Sequence, residues 1–222
     1  ETDTMDSGET QRIEDFLLRE FNKRGYVFPC KPDEREVRER EKARKKELVG
    51  GFVMEPVKKL HESVVVLDFK SMYPSLIVTY NICPTTIIKR KEWIKGFEPV
   101  KTASGALFYP KEVREGIIPK ILSELMKKRQ EVKKQIKAVE DKEIRRVLDA
   151  KQWAFKIMAN AFYGHMGYSR ARIYDIDVAN AITSSGRQLI QETARKIEEK
   201  FGKKVVYGDT DSVFVSTCLL YT

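Results

Sequence analysis

Residues 63–77 read SVVVLDFKSMYPSLI. Val64 to Leu67 are β-branched or apolar without interruption, so Ser63 to Phe69 predicts a strand buried on both faces, its apolar run ending at Asp68. A carboxylate at the end of such a strand needs a salt-bridge partner, hydrogen bonds or a metal ion, because burying it bare is costly. Taken by itself, Asp68 is a strand-end cap. Pro74 suits the first turn of a helix, where its missing N–H leaves no bond unmade, and Ser75 to Tyr80 is expected to form that helix.

A second strand signal lies near the other end. Residues 203–216 read KKVVYGDTDSVFVS, two β-rich runs (Lys203–Tyr207 and Ser212–Ser216) around Gly208-Asp209-Thr210-Asp211, the pattern of a hairpin. Asp in a turn is ordinarily a turn former. Beside Asp68, however, Asp209 and Asp211 would make a hard-cation site of the kind Mg²⁺ favours, one or two carboxylates plus substrate phosphates.

Between these stretches the pattern turns helical. From Pro119, Leu122, Leu125, Val132, Ile136 and Val139 keep heptad-like spacing, and Arg129 occupies the slot where an apolar residue belongs. Asp141 marks a turn. A second helix to about Phe162 has Ile144, Leu148, Phe155, Met158 and Phe162 as its seam, giving an antiparallel hairpin. Arg129 and Lys133 are i, i+4 neighbours; Lys156, Asn160 and Tyr163 share a face of the return helix. A turn at 140–141 sets Arg129 opposite about residue 152, so an Arg fork and two Lys converge as a polyphosphate would require. A Lys-rich solvated face is the plainer reading of the same residues.

Around this frame, Gln11–Lys23 is expected to be an amphipathic helix after a frayed acidic start at 1–10. Asp33 should cap a charged, solvated helix to about Glu47, Phe52–Met54 a short strand, and 82–118 short strands and loops. A further helix is expected over about Val178 to Lys200. With 222 residues and 41% hydrophobic content, the chain has enough apolar surface for a core. Its formal net charge of +9 points to a polyanionic partner. No apolar run is long enough to span a bilayer. Three cysteines, with no C-x-x-C pair, and two isolated histidines speak against a disulfide scaffold and a structural zinc site and suit mostly buried thiols in a reducing cytosol.

Three segments together carry a resemblance. DFKSMYPSLI (68–77) resembles the first palm motif of family B DNA polymerases, D-F-x-S-L-Y-P-S-I-I. KIMANAFYG (156–164) is similar to their fingers motif K-x-x-x-N-S-x-Y-G, and YGDTDS (207–212) to Y-x-D-T-D-S, in the family's order. Ala161 stands where the family has Ser, and Leu48-Val49-Gly50-Gly51 where it has Y-x-G-G. The likeness runs from about Gln11 to Phe214 and is strongest toward the archaeal replicative enzymes.

The resemblance implies an α+β fold: a palm with an antiparallel sheet plus helical-hairpin fingers. Residues 1–118 form the first palm portion, 119–164 the fingers, 165–216 the second palm portion, and 217–222 a tail without a counterpart. It implies template-directed DNA synthesis, adding a deoxynucleotide to a primer 3′-OH by two-metal nucleotidyl transfer. Asp68 and Asp211 would hold two Mg²⁺ ions with the Phe69 carbonyl, and Asp209 is the remaining acid. Ser71, Met72 and Tyr73 present backbone N–H groups to the triphosphate, with the Tyr73 ring as a gate against the ribose 2′-OH. Arg129, Lys133, Lys156 and Asn160 grip the nucleotide. Gly50, Tyr163, Gly164, Tyr168, Arg170, Arg172, Thr183 and Arg187, in segments that also include Gly167 and Gly186, fall in stretches that contact DNA. Implied partners are primer–template DNA, a deoxynucleoside triphosphate, a segment or subunit supplying thumb and exonuclease domains, and a sliding clamp; the setting is cytoplasmic and nucleoid-associated. A palm retained only to bind DNA is the alternative, against which the three acids speak. An RNA-synthesising palm is disfavoured by Tyr73.

Overall fold

The computed structural model describes residues 8–90, 94 and 96–217. The start of the frayed segment (1–7) and the tail at 218–222, with Cys218, lie outside the described residues.

Helix α1 (Glu9–Lys23) buries Ile13, Leu17 and Phe21, one residue per turn on a single face. Helix α2 (Glu34–Glu47) begins as expected: the Asp33 side chain accepts from the Glu36 N–H. It is less solvated than its charge suggests. Val37 is buried, and Arg40 turns inward to donate to the Ser169 and Ala171 carbonyls at 3.1 and 2.9 Å.

Strand β1 (Val64–Asp68) leads through a tight turn into α3 (Met72–Thr79), which starts three residues before the expected Ser75 and so places Pro74 inside its first turn. A short hairpin follows, β2 (Val100–Lys101) with β3 (Leu107–Phe108). Helices α4 (Ile117–Ala138) and α5 (Lys142–Met166) form the expected antiparallel hairpin, with Asp141 capping α5 through the Glu143 and Ile144 N–H groups. Helix α6 (Ile176–Phe201) leads to β4 (Val205–Asp209) and β5 (Ser212–Ser216).

The main sheet is antiparallel with strand order β1-β5-β4. Helix α6 covers β4 and β5, packing Ile190 and Ile197 against Val205, Val213 and Val215. A larger core joins α1, α3, α4, α5 and α6 through Leu17, Ile77, Ile121, Phe162 and Ile182. Helix α3 belongs to both, giving Ile77 to one cluster and Met72 and Leu76 to the other, so it fixes the hairpin relative to the sheet.

Several expectations are corrected. Strand β1 is not buried on both faces: Val64, Val65, Val66 and Leu67 are 38–53% exposed. It pairs on one side only among the described residues, and the helix over the sheet lies on its neighbours. Phe52–Met54 forms no strand but a single bridge, Val53 to Asp209. In the hairpin, Ile144 is 53% exposed and residues 142–147 are all exposed, whereas Gln152, Ala159 and Phe162 are buried, so the expected seam of α5 is covered only in its C-terminal half. Cys83 is buried but Cys30 is exposed.

Asn81 joins the two halves. It follows α3 in the left-handed region (φ 53°), donates to the Tyr109 and Arg114 carbonyls at 2.7 and 2.8 Å, and accepts from the Gly116 N–H at the mouth of α4. Asn81→Ala removes three buried bonds and a side chain that tolerates positive φ; a loss of about 3 kcal/mol in denaturant unfolding is expected.

Candidate active site

The register of the sheet gathers the acids. Asp68 and Asp209 both pair with Ser212, one from each side. Directly opposed residues point to the same face, so the two carboxylates share a row roughly 10 Å wide with β5 between them. A bulge at Val206 resets β4 so that Asp209, not its neighbour, lands opposite Ser212. Asp211 stands at the head of β5, and its carbonyl accepts from the Phe69 N–H at 2.8 Å, which ties the first motif to the third. Thr210 holds the turn at φ 48°; its N–H donates to the Phe52 carbonyl and its hydroxyl to Asp209 Oδ1 at 2.9 Å.

Burial, then the Asp68 charge and that of Asp209, raise the Asp211 carboxyl above the usual carboxylate range, and Lys156 partly opposes them. The Asp211 carboxyl therefore feels the other two acids and a lysine of the helical hairpin at once. Among the described residues, no three His, Cys, Asp or Glu side chains close around a single point. A divalent cation here would need oxygen atoms from elsewhere, as Mg²⁺ does beside substrate phosphates.

The cations surround a cleft of about 230 Å³ between the hairpin and the β1–α3 turn, lined among others by Arg129, Lys133, Lys156, Lys70, Ser71 and Ser75. Arg129 donates to Gln152 Oε1 at 3.2 Å, the opposition expected from the turn position, so its place in the apolar seam is filled by a polar pair. Lys156 lies 4.5 Å from the Trp153 ring centroid, which steadies its ammonium. Ser71 enters α3 at φ 55°, ψ 51°, a strained conformation for a residue with a side chain, and its hydroxyl makes no capping bond to the helix. Asn160 is exposed on α5.

Tyr73 and Tyr163 stack, centroids 4.6 Å apart and planes 32° apart. Burial, Tyr163 and Asp211 push the Tyr73 hydroxyl up to about 12, so it stays protonated at neutral pH.

The expected DNA-contacting residues fare unevenly. Gly164 and Tyr168 line an open hollow with Arg44 and His165. Arg187 donates to the Val49 and Gly50 carbonyls, both at 2.7 Å, bringing two of the expected residues together. Arg170 is paired with Glu34 at 2.8 Å, and Arg172 donates to the Pro29 carbonyl. Thr183 is wholly buried, and its hydroxyl donates to the Ala179 and Asn180 carbonyls. Sequence reasoning missed Lys70, Ser75 and Gln152. Lys70 and Ser75 sit inside the first quoted motif, whereas nothing in the spacing marks Gln152.

The sequence profile of DNA polymerase family B matches residues 2–220. The chain is 43% identical over 207 residues to a DNA polymerase of Thermococcus gorgonarius, covering 92% of this chain and 25% of that protein. It is 36% identical to the catalytic polypeptide of DNA polymerase alpha from Saccharomyces cerevisiae, covering 96% of this chain and 15% of the other. The structure of a family B DNA polymerase from Pyrobaculum calidifontis superposes with a TM-score of 0.76 at 32% identity, covering 96% of this chain and 26% of that one. The chain thus spans about a quarter or less of the length of these relatives. No helix among the described residues is long and apolar enough to cross a membrane.

Proposed function

The chain belongs to DNA polymerase family B, and on that premise we propose that it forms the palm and fingers of a polymerase that extends a primer with deoxynucleotides. One observation supports the reading: the Asp211 carboxyl is influenced by Asp68, Asp209 and Lys156 together, and Lys156 also lines the cationic cleft with Arg129 and Lys133. Charge neutralisation and positioning are the main demands of phosphoryl transfer.

Asp68 and Asp211 are the residues to hold Mg²⁺, and the mutual repulsion that raises Asp211 is what a divalent cation would relieve. Bound there, Mg²⁺ supplies Lewis-acid activation of the primer 3′-OH and neutralises the leaving pyrophosphate. Arg129, Lys133 and Lys156, with Ser71 beside them at the start of α3, line the cleft and would balance the charge of the triphosphate; the backbone N–H groups of Met72 and Tyr73 are further donors in this reading. Asp209 acts through its bond with Thr210, holding the turn that presents Asp211. Tyr73, stacked on Tyr163, is the gate in this reading, its ring excluding a ribose 2′-OH. Tyr163 and Gly164 bound the nascent base pair, and Tyr168 and Arg187 lie along the DNA path. Thumb and exonuclease functions belong to the remainder of such a polymerase, as does contact with a sliding clamp.

The test is primer extension with Mg²⁺, by this chain alone and with thumb and exonuclease segments supplied, each beside Asp68→Ala. Extension by the completed wild-type assembly at least ~1000-fold above Asp68→Ala is expected. Equal extension by the two overturns the catalytic reading and leaves a DNA-binding palm.

A further inference from the structure

Two glycines from separate elements end at one aromatic ring. Gly186 lies in the middle of α6, where glycine is disfavoured relative to alanine and no cap or turn calls for it. A methyl group built on it would stand 3.0 Å from Tyr73 Cε1 and 3.1 Å from Met72 Cε. Gly51 lies in the segment between α2 and β1. Its added methyl would stand 3.2 Å from the Tyr73 hydroxyl oxygen and 3.0 Å from Thr210 Oγ1. Neither glycine has a positive φ, so what each position demands is space rather than backbone freedom.

These contacts surround the ring. Tyr163 stacks on one face, Gly186 meets its edge, and Gly51 meets its hydroxyl end. The two glycines are also tied to each other, because Arg187, next to Gly186, donates to the Val49 and Gly50 carbonyls, immediately before Gly51. Segment 49–51 and helix α6 therefore behave as one frame around Tyr73. A side chain at either glycine would require the Tyr73 ring or the atoms beside it to give by a few tenths of an ångström, and the stacked Tyr163 closes off one face.

We propose that Gly51 and Gly186 are specificity-positioning residues that set sugar selectivity by fixing where the Tyr73 ring stands. This rests on the reading of Tyr73 as the gate at the nucleotide sugar and deepens it. The glycines touch no substrate and act only through the ring.

The experiment measures kcat/KM for a deoxynucleotide and the matching ribonucleotide in the full-length polymerase. Gly186→Ala and Gly51→Ala are each made with Tyr73 intact and with Tyr73→Ala. With Tyr73 intact, each alanine is expected to change the deoxy-to-ribo ratio by about tenfold, the scale of one methyl group in a tight pocket. In the Tyr73→Ala background the same substitutions should leave the ratio unchanged, because the ring through which they act is gone. A ratio that stays constant while both efficiencies fall together overturns the proposal, as does an equal shift in both backgrounds. If Tyr73→Ala alone leaves sugar selectivity intact, the gate reading fails first and the glycines lose their role with it. Gly51 is on an exposed segment, so Gly51→Ala decides the matter should Gly186→Ala prevent folding.

Discussion

The Asp211→Asn variant is expected to lose primer extension by at least ~1000-fold while becoming more resistant to unfolding in the absence of Mg²⁺. The loss follows from removing a carboxylate on which the proposed metal site depends. The gain follows from electrostatics. Burial and the charges of Asp68 and Asp209 raise the Asp211 carboxyl above its unfolded value. A raised carboxyl contributes stability below its unfolded pKa, and that contribution disappears as pH rises through the folded value. At neutral pH the ionised Asp211 is therefore a cost to the fold that Asn does not carry. Thermal melts without Mg²⁺ should show Asp211→Asn above wild type at pH 7, with the gap narrowing as pH falls through the raised Asp211 pKa. Adding Mg²⁺ should lift the wild type and leave the variant where it was. A variant that melts lower than wild type at pH 7 and responds equally to Mg²⁺ would mean that the acids do not share a site.

Lys156→Ala should lower kcat/KM for the incoming nucleotide by about 100-fold, with the Kd for primer–template changed by less than about twofold. The argument is one of place. Lys156 lines the same cleft as Arg129 and Lys133, and its charge reaches Asp211. Half-buried beside Trp153, it works in a less screened setting than an exposed lysine. Steady-state kinetics at fixed DNA, together with DNA titration by fluorescence anisotropy, separates the effects. Comparable losses of DNA and nucleotide binding would reduce the cleft to a general basic patch. Trp153→Ala should act in the same direction but weakly, by roughly fivefold, because it removes the support and leaves the charge.

How much of this was legible beforehand differs by residue. The strand ending at Asp68, the Asp-Thr-Asp hairpin and the helical hairpin turning at 140–141 were readable because each rests on local rules: β-branched runs, turn residues and helical spacing. Arg129 facing residue 152 followed from arithmetic about that turn, and the side chains do meet. The exposure of β1 was not readable, since an apolar run looks the same whether a neighbour covers it or not. The burial of Thr183 was not readable either: a Thr in a helix interior readily bonds to the preceding turn, as it does here, and its motif does not show it. Arg40 looked like part of a solvated face until the 169–171 loop offered it two carbonyls.

The sequence by itself determined the elements, the order of the motifs and the chemical kinds of residue at the site, because these depend on near neighbours along the chain. Only the tertiary structure decided that Asp68 and Asp209 flank Ser212 on one face, that a bulge at Val206 sets this register, and that Gly51 and Gly186 frame Tyr73. The physical reason is that the β1–β5 register and the packing of Gly186 on Tyr73 arise between segments separated by more than a hundred residues. A one-residue slip there reverses the face of every side chain, yet leaves the local sequence pattern unchanged.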